Sequence, residues 1–382
     1  MAWQIPLSDI DMGLEEIAAV QKVLESRWLT MGAVTQEFEQ DFTQFTGTRH
    51  ALAVTNATAA LHLACIAAGI QAGDEVIVPS LTFVATANAV RYVGAVPVFA
   101  DICSEDDFNI SPASVRQNIT ERTKAIIVMH YGGYACDMPW IMEIAQEFGL
   151  VVIEDAAHAT GAQLDGRGLG NWGLVGCHSF FSNKNMTTGE GGMLTTQDDA
   201  VAEHLRKLRS HGMTSLTWDR HQGHAFTYDV TDLGYNYRID ELRSAIGRVQ
   251  LSRLARNNAR RRALTAVYRE CFVKFIPEIH IPFAQARGES SCHILPGLLP
   301  PGVDRFKFMD EMKAQGIQTS IHYPPIHTFQ SYREKSFPYV DLSKTEDIAA
   351  REVTFPLYPG LLEEQILMIA QAAATALKPA ST

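Results

Sequence analysis

The feature that most constrains the fold is a regular alternation of short apolar runs and helix-like segments between residues 51 and 155. A turn of small or polar residues separates each run from the helical pattern that follows it. This alternation predicts an α/β domain with a mostly parallel sheet, in which ligands bind at the carboxyl ends of the strands. The strand-like runs are 51–54, 75–78, 96–99, 125–129 and 151–155.

Lys184 lies in a polar, turn-forming segment that precedes Gly189, Gly191 and Gly192. A neutral lysine amine can attack a carbonyl to form a Schiff base, although a lone loop lysine is more simply a solvated residue. A second segment favours the chemical interpretation, because a buried strand is predicted to place Asp155 at its carboxyl end. Enzymes that use pyridoxal phosphate need a lysine for the aldehyde and an acid for the pyridine nitrogen. The sequence therefore predicts pyridoxal phosphate as the cofactor.

The segment after residue 54 is suited to bind phosphate. A small-residue turn leads there into a predicted helix that begins near Ala57, Thr58 and Ala59. Free backbone amides and the helix dipole favour an anion at such a point, whereas Thr58 could instead be an ordinary helix cap. Beside a lysine and an acid of the kind described, phosphate binding is the better interpretation. Phe83 follows another strand end and could lie against a cofactor ring or pack in the core.

Composition excludes several other classes of protein. The net charge of −11 disfavours a nucleic-acid partner, which needs a basic surface. The six cysteines are scattered without a C-x-x-C pair, which favours reduced cysteines in a cytoplasmic protein over disulfides or a metal site. We find neither a secretory signal nor an apolar run of membrane-spanning length. Residues 168–173 match G-x-G-x-x-G, but they follow a turn and precede a strand-like run, so a dinucleotide site is not expected.

Five segments together resemble the DegT/DnrJ/EryC1/StrS aminotransferases, and the resemblance extends from about residue 8 to the final predicted helix. Their order and spacing match the family, and Lys184 argues against its dehydratase members. The segments are TNATAAL at 55–61, PSLTFVAT at 79–86, EDAAH at 154–158, SF at 179–180 with Lys184 and GEGG at 189–192, and GYNYR at 234–238.

The resemblance implies a fold of the aspartate aminotransferase type (fold type I) and a homodimer with shared active sites. A large pyridoxal-phosphate-binding α/β domain would span residues 1–250, and a small C-terminal α+β domain 251–382. Lys184 would form the internal aldimine and Asp155 would keep the ring nitrogen protonated. The other implied cofactor contacts are His158 at the phenolic oxygen, Ala57, Thr58, Ala59 and Ser179 at the phosphate, Phe83 stacked on the ring, and Asn236 reaching the phosphate from the partner subunit.

The resemblance also implies an aminotransferase that moves an amino group from L-glutamate to a nucleotide-linked keto-deoxysugar. Candidate acceptor-binding residues are Trp28, Arg238, His322, Tyr323 and His327, with a purely structural loop as the alternative for those from the Pro-rich segment. Three other functions stay open: transamination of a keto-cyclitol or other carbocyclic ketone, a sugar dehydratase or lyase reaction with the same cofactor, and a cofactor-binding regulator without catalysis. The regulator is disfavoured because Lys184 and Asp155 are both present.

Overall fold

The computed structural model of the chain describes residues 3–215, 223, 227–333 and 340–378. Up to residue 208 the elements alternate much as the sequence predicts. In chain order they are α1 (Leu14–Ser26), α2 (Ala33–Thr46), β1 (His50–Val54), α3 (Ala57–Ala67), β2 (Glu75–Pro79), α4 (Ala85–Tyr92), β3 (Val96–Ala100), β4 (Ile102–Ser104), β5 (Asp107–Ile110), α5 (Pro112–Gln117), β6 (Thr123–Met129), α6 (Met138–Phe148), β7 (Val151–Asp155), β8 (Gln163–Leu164), β9 (Arg167–Gly168), β10 (Val175–Ser179), β11 (Gly192–Thr196) and α7 (Asp199–Leu208).

Seven of these strands form the central sheet, in the order β1-β11-β10-β7-β6-β2-β3. The pairs β10–β7, β7–β6, β6–β2 and β2–β3 are parallel, and β11 is antiparallel to both of its neighbours. Because β11 alone is reversed, the carboxyl ends of the other six strands meet at one edge. The predicted mostly parallel α/β sheet is confirmed, and this edge is where ligands of such sheets bind.

Both faces of the sheet are covered, since alternate residues of each strand point to opposite sides. On β6, Ile127 packs into a core with α3, α4 and α7, whereas Ile126 packs into a second core with α5 and α6. This is a three-layer α/β arrangement. Residues 168–173 connect β9 to β10 and begin no helix, as expected for a sequence that only matches the dinucleotide motif by letter.

The rest of the chain forms a smaller unit around a two-stranded sheet. The elements after residue 240 are α8 (Glu241–Phe275), β12 (Leu295–Leu298), α9 (Arg305–Ala314), α10 (Gln330–Arg333), α11 (Ser343–Arg351), β13 (Glu352–Phe355) and α12 (Glu363–Ala376). Among them α10 packs on the large unit instead, because Tyr332 lies in the core of α3 and α4. Strands β12 and β13 pair antiparallel, and their side chains join α9, α12 and the second half of α8 in a separate apolar core. Ile5 from the N-terminus also packs into this core and pairs with Ile317.

Helix α8 links the two units. It has 35 residues and is therefore about 50 Å long at 1.5 Å per residue. At its first turn the Glu241 carboxylate accepts hydrogen bonds from the amides of Gly32, Val34 and Thr35, and near its end Phe272 lies in the smaller core. The expected boundary between residues 250 and 251 falls inside this helix and stays a prediction. Among the described residues, no helix is both long enough and apolar enough to cross a membrane.

Candidate active site

A cavity of about 420 Å³ opens at the carboxyl edge of the central sheet, between the sheet and the smaller unit. It brings together residues from the ends of β1, β6, β7 and β10 with the segment around residue 322. Its lining includes Asn56, Ala57, Thr58, Leu61, Phe83, Ala85, Met129, Asp155, Ala157, His158, Ser179, Phe181, Asn183, Lys184, Glu190, His322 and Tyr323. A cleft of about 510 Å³ elsewhere, between α8 and residues 9–11 and 358–360, has no lysine in its lining.

Lys184 reaches this cavity from a turn that follows β10. The turn is closed by the Lys184 amide, which donates to the carbonyl oxygen of Phe181 at 2.9 Å. Burial lowers the pKa of the Lys184 amine from 10.5 to about 8, although the charge of Asp155 acts in the opposite direction. A substantial fraction of this amine is therefore neutral near physiological pH, which a nucleophilic lysine requires.

Asp155 is the last residue of β7 and is 4% exposed. Its Oδ2 accepts a hydrogen bond from the Thr86 hydroxyl at 2.7 Å, and Oδ1 accepts one from the Ala157 amide at 3.2 Å. Burial raises the pKa of Asp155, while these two donors and the charge of Lys184 oppose the shift. The described residues offer this carboxylate no ion pair within 4.0 Å. A cation placed in the cavity would compensate its buried charge.

His158 follows the same strand and is 3% exposed. The Gly132 amide approaches its Nδ1 at 3.3 Å, and the Tyr323 hydroxyl approaches its Nε2 at 2.8 Å. Because an amide can only donate, Nδ1 is the acceptor and Nε2 carries the proton in the neutral ring. Burial lowers the pKa of His158 well below 6.5, which keeps the ring neutral. His158 therefore donates to Tyr323, and the Tyr323 hydroxyl is free to donate into the cavity.

The N-terminus of α3 lies at the other end of the cavity. The structure places the helix cap at Asn56, whose Oδ1 accepts from the Ala59 amide at 2.8 Å, so the alternative of Thr58 as cap is wrong. The amides of Ala57 and Thr58 keep no partner within the helix, and both residues line the cavity. Ala59 does not line it. A Cβ at Gly192 would lie 2.6 Å from the Asn56 carbonyl carbon, so only glycine lets β11 approach this turn so closely.

Ser179 and Phe83 complete the cofactor residues expected within one chain. Ser179 ends β10 and is 7% exposed, and its Oγ accepts from the Phe181 amide at 3.3 Å, which leaves its own proton available. Phe83 is 55% exposed and lines the cavity, so it does not pack in the core. Its ring centroid lies 6.0 Å from that of Tyr323, and the two rings border the cavity together.

Four other predicted residues lie outside this lining. Asn236 is exposed and bridges to Ser210, Arg238 bridges to Val54, and the Trp28 ring covers Gly32. The His327 ring lies between the Ser80 hydroxyl at 2.7 Å and the Glu346 carboxylate at 3.1 Å. His322 does line the cavity, but its Nδ1 is bound to Thr354 Oγ1 at 2.8 Å. The structure therefore brings Tyr323 and His322 to the cavity and ties His327 to the surrounding scaffold.

Three residues near the site were not predicted from the sequence: Thr86, Asn185 and His293. Thr86 lies within the segment 79–86, which carries part of the resemblance. Its position three residues after Phe83 does not indicate that its hydroxyl contacts Asp155. His293 Nε2 lies 3.4 Å from Lys184 Nζ, although the two residues are 109 positions apart in the chain. No local pattern around a lone histidine so far along the chain predicts this contact with Lys184.

The residues of this cavity fit pyridoxal phosphate. Asp155 is a buried carboxylate without an ion pair within 4.0 Å among the described residues, as the ring nitrogen requires, and a partly neutral lysine amine is available to react with the carbonyl. At the far end, two helix amides and the Ser179 hydroxyl form a donor set for a phosphate. The buried Asn183 Oδ1 also has no hydrogen-bond partner among the described residues.

Comparison with known proteins agrees with this geometry. The model of the DegT/DnrJ/EryC1/StrS aminotransferase family matches residues 11–373. The chain is 39% identical to the spore coat polysaccharide biosynthesis protein SpsC of Bacillus subtilis (strain 168), over 96% of this chain and 94% of that protein. Its structure is similar to Spr1654 of Streptococcus pneumoniae in the PLP form (TM-score 0.89, 28% identity, 97% of this chain and 98% of that one).

It is also similar to DesI, solved in the presence of its TDP-sugar product, with a TM-score of 0.88 and 30% identity over 98% of this chain and 93% of that one. The family match covers nearly the whole chain, and the solved relatives share both units of the fold. The expected fold type I and the expected cofactor are confirmed. The chain therefore belongs to the DegT/DnrJ/EryC1/StrS family and is an aminotransferase that depends on pyridoxal phosphate.

Proposed function

We propose that this enzyme transfers the amino group of L-glutamate to the keto group of a nucleotide-linked deoxysugar. The observation that carries the proposal is the partly neutral Lys184 amine in the same cavity as the buried Asp155 carboxylate. Two relatives support the acceptor class, since DesI was solved with its TDP-sugar product and SpsC is a polysaccharide biosynthesis protein.

In this proposal each residue of the cavity has a separate task. When bound, pyridoxal phosphate supplies a carbonyl that can carry the amino group and a ring that can accept electrons. Lys184 Nζ would take the proton from the amino donor's Cα and hold it for the return step, because a fraction of the amine is neutral and can act as a base. Asp155 would hold the ring nitrogen in its protonated form. His158, together with the Tyr323 hydroxyl to which it donates, would hold the ring's phenolic oxygen.

The phosphate is proposed to bind the amides of Ala57 and Thr58 and the Ser179 hydroxyl, with Ala59 acting only through its contact with Asn56. The acceptor is proposed to enter past Phe83 and Tyr323, whose rings are in contact and border the cavity. Three predicted acceptor-binding residues lie outside the lining of their own chain's cavity: Trp28, Arg238 and His327. They would contact the acceptor beyond this lining or in the cavity of a partner subunit.

We further propose a homodimer with shared active sites. Asn236 is exposed and lies outside its own chain's cavity, which is consistent with a phosphate contact made in the partner subunit. The apolar surface of α1 is a candidate dimer interface, since Leu14 is 82% exposed, Ile17 62% and Leu24 54%.

The acceptor class is tested with [¹⁵N]glutamate and a panel of keto sugars linked to TDP, UDP or GDP, together with keto-cyclitols. The proposal predicts a ¹⁵N-labelled amino sugar nucleotide by mass spectrometry, and no product from the Lys184→Ala variant. Labelling of a cyclitol alone would favour the carbocyclic ketone. Loss of water without labelling would favour a dehydratase.

The shared site is tested by mixing Lys184→Ala and Asn236→Ala subunits after reversible dissociation. If Asn236 serves the partner's site, each mixed dimer contains one site with both native residues, and activity returns. If Asn236 serves its own chain, the mixed dimer contains no complete site and activity does not rise above that of the Asn236→Ala variant.

A further inference from the structure

His293 is a buried residue next to Lys184 that has no role in the function proposed above. It is 4% exposed, and its Nε2 lies 3.4 Å from Lys184 Nζ. We propose that His293 is a catalytic residue whose Nε2 accepts a hydrogen bond from the Lys184 amine and stabilises that amine in its ammonium form during proton transfer. This inference rests on the proposed role of Lys184 as the base.

The orientation of the His293 ring is fixed by a chain of hydrogen bonds that begins at backbone carbonyls. The Asn258 Nδ2 group donates to the Thr160 carbonyl at 3.0 Å, which leaves Asn258 Oδ1 as an acceptor. Asn185 Nδ2 donates both to this Oδ1 at 2.7 Å and to the Ser291 carbonyl at 2.8 Å. Because a backbone carbonyl can only accept, neither amide group can be turned around without losing these bonds.

The same chain fixes the protonation of the ring. Asn185 Oδ1 lies 2.9 Å from His293 Nδ1, and since this oxygen can only accept, Nδ1 carries the proton. In a neutral imidazole the other nitrogen then has a free lone pair. Nε2 is that nitrogen, and the atom in front of it is Lys184 Nζ.

The surroundings keep His293 neutral. Burial lowers its pKa well below 6.5, and the positive charges of Lys184 and Arg261 lower it further. Its carbonyl is also bound by Arg261 Nη1 at 3.1 Å, which holds the backbone in place. A neutral ring accepts a hydrogen bond from an ammonium without adding a second positive charge beside it.

Lys184 itself is faced by one carboxylate and three imidazoles. Asp155 raises the pKa of the amine while burial lowers it, and the pKa values of His158, His293 and His322 are all lowered, so these three rings are neutral. The Nε2–H of His158 is directed to Tyr323, and the Nδ1 of His322 is bound to Thr354. Among the described residues, His293 is the one of these three whose ring nitrogen lies within hydrogen-bonding distance of the amine.

This arrangement has a direct use in the reaction. When Nζ removes the proton from the amino donor's Cα, the electron pair of the C–H bond stays on the substrate side and the neutral amine becomes an ammonium. Its new charge is stabilised by the lone pair of His293 Nε2, while the proton stays on lysine for delivery in the next step. Catalytic hydrogen bonds are often long without substrate, as this one is, and shorten when the site is filled.

Two substitutions of His293 test the roles of its two ring nitrogens separately. In His293→Asn the side-chain amide can replace Nδ1 as donor to Asn185, but nothing reaches Lys184. In His293→Gln the longer side chain can place its oxygen near the former Nε2. We expect kcat to fall by about 10- to 100-fold in His293→Asn, the size of one lost hydrogen bond to a charged group, and His293→Gln to recover most of it.

Two measurements on the cofactor-free protein do not depend on turnover. Nitrogen NMR of ¹⁵N-histidine-labelled protein, with His293→Gln for assignment, is expected to show His293 protonated at Nδ1 alone. The pH dependence of the rate at which the apoprotein captures pyridoxal phosphate reports the pKa of Lys184. That pKa is expected to be lower in His293→Asn than in the native protein, because the ammonium loses an acceptor.

An Nε2-protonated ring, an unchanged pKa of Lys184 in His293→Asn, or equal losses of kcat in the two variants would overturn the proposal. The role of Lys184 is tested separately. If the native apoprotein captures the cofactor through another lysine, the proposed function fails, and the catalytic part assigned to His293 fails with it. The NMR result would still report how the ring is protonated.

Discussion

The hydroxyl of Thr86 is predicted to keep Asp155 ionised when the cofactor is bound. Thr86 is completely buried, and its Oγ1 donates to Asp155 Oδ2 at 2.7 Å. Valine has nearly the same shape as threonine but no donor, so Thr86→Val leaves one carboxylate oxygen without its hydrogen bond. Burial already raises the pKa of Asp155, and loss of the donor raises it further.

The expected size of the effect follows from the chemistry of this bond. A hydrogen bond to a charged group contributes about 1.5–3 kcal/mol. If that energy is lost from the ionised form of Asp155 in the transition state, the rate falls by about 10- to 100-fold. The measurement is the single-turnover rate with the amino donor, followed by the change in cofactor absorbance at saturating cofactor.

Thr82→Val is the matched control. Thr82 is 1% exposed and its Oγ1 lies 3.0 Å from that of Thr86, so the substitution removes an equally buried hydroxyl without touching Asp155. We expect this variant to lose less than a factor of about 3 in rate, since only a neutral hydrogen bond is removed. Equal rates for the two variants would refute the reasoning that Thr86 acts through the Asp155 charge.

Three other predictions concern stability, cofactor retention and pH. Glu154→Gln should lower the free energy of unfolding by about 3 kcal/mol, measured by urea denaturation. The reason is that the buried carboxylate binds His130 and the amides of Gly170, Trp172 and Gly173. An unchanged free energy of unfolding would contradict this. Burial raises the pKa of Glu154, but these partners outweigh it and lower the pKa below 4.5, so its contribution should be present at neutral pH and lost as the pH falls through that lowered value. Asn236→Ala should raise the Kd for pyridoxal phosphate in equilibrium dialysis, and an equal Kd would argue against a contact across the dimer. Cofactor capture by the apoprotein should accelerate as pH rises through about 8, where Lys184 loses its proton, and a flat profile would contradict the assigned pKa.

Local patterns in the sequence were sufficient to predict the edge of the sheet and the residues that it delivers. The apolar run that ends at Asp155 and the turn that contains Lys184 each reflect interactions within a few residues, namely burial of a strand and closure of a turn. Parallel strands then bring such ends together wherever they lie in the chain. The αβ fold and the position of the cavity therefore followed from short segments read in order.

Contacts between the two units could not be predicted in the same way. His293 meets Lys184 only because residues 291–294 of the smaller unit pack over the turn after β10, and nothing local to either residue indicates this. His327 shows the converse, since its position in a Pro-rich loop suggested a ligand contact, whereas its ring is bound by Ser80 and Glu346. The cap of α3 differs by two residues because Asn56, and not Thr58, has the extended backbone that a cap requires.

The central claim is that Lys184 is the amine that carries the cofactor. It is tested most directly by reducing the purified holoenzyme with sodium borohydride and locating the pyridoxyl group by peptide mass spectrometry. We expect a single modified peptide with the group on Lys184, and loss of the modification when L-glutamate is added before the reductant. A pyridoxyl group on any other lysine, or none at all in protein that contains the cofactor, would contradict it.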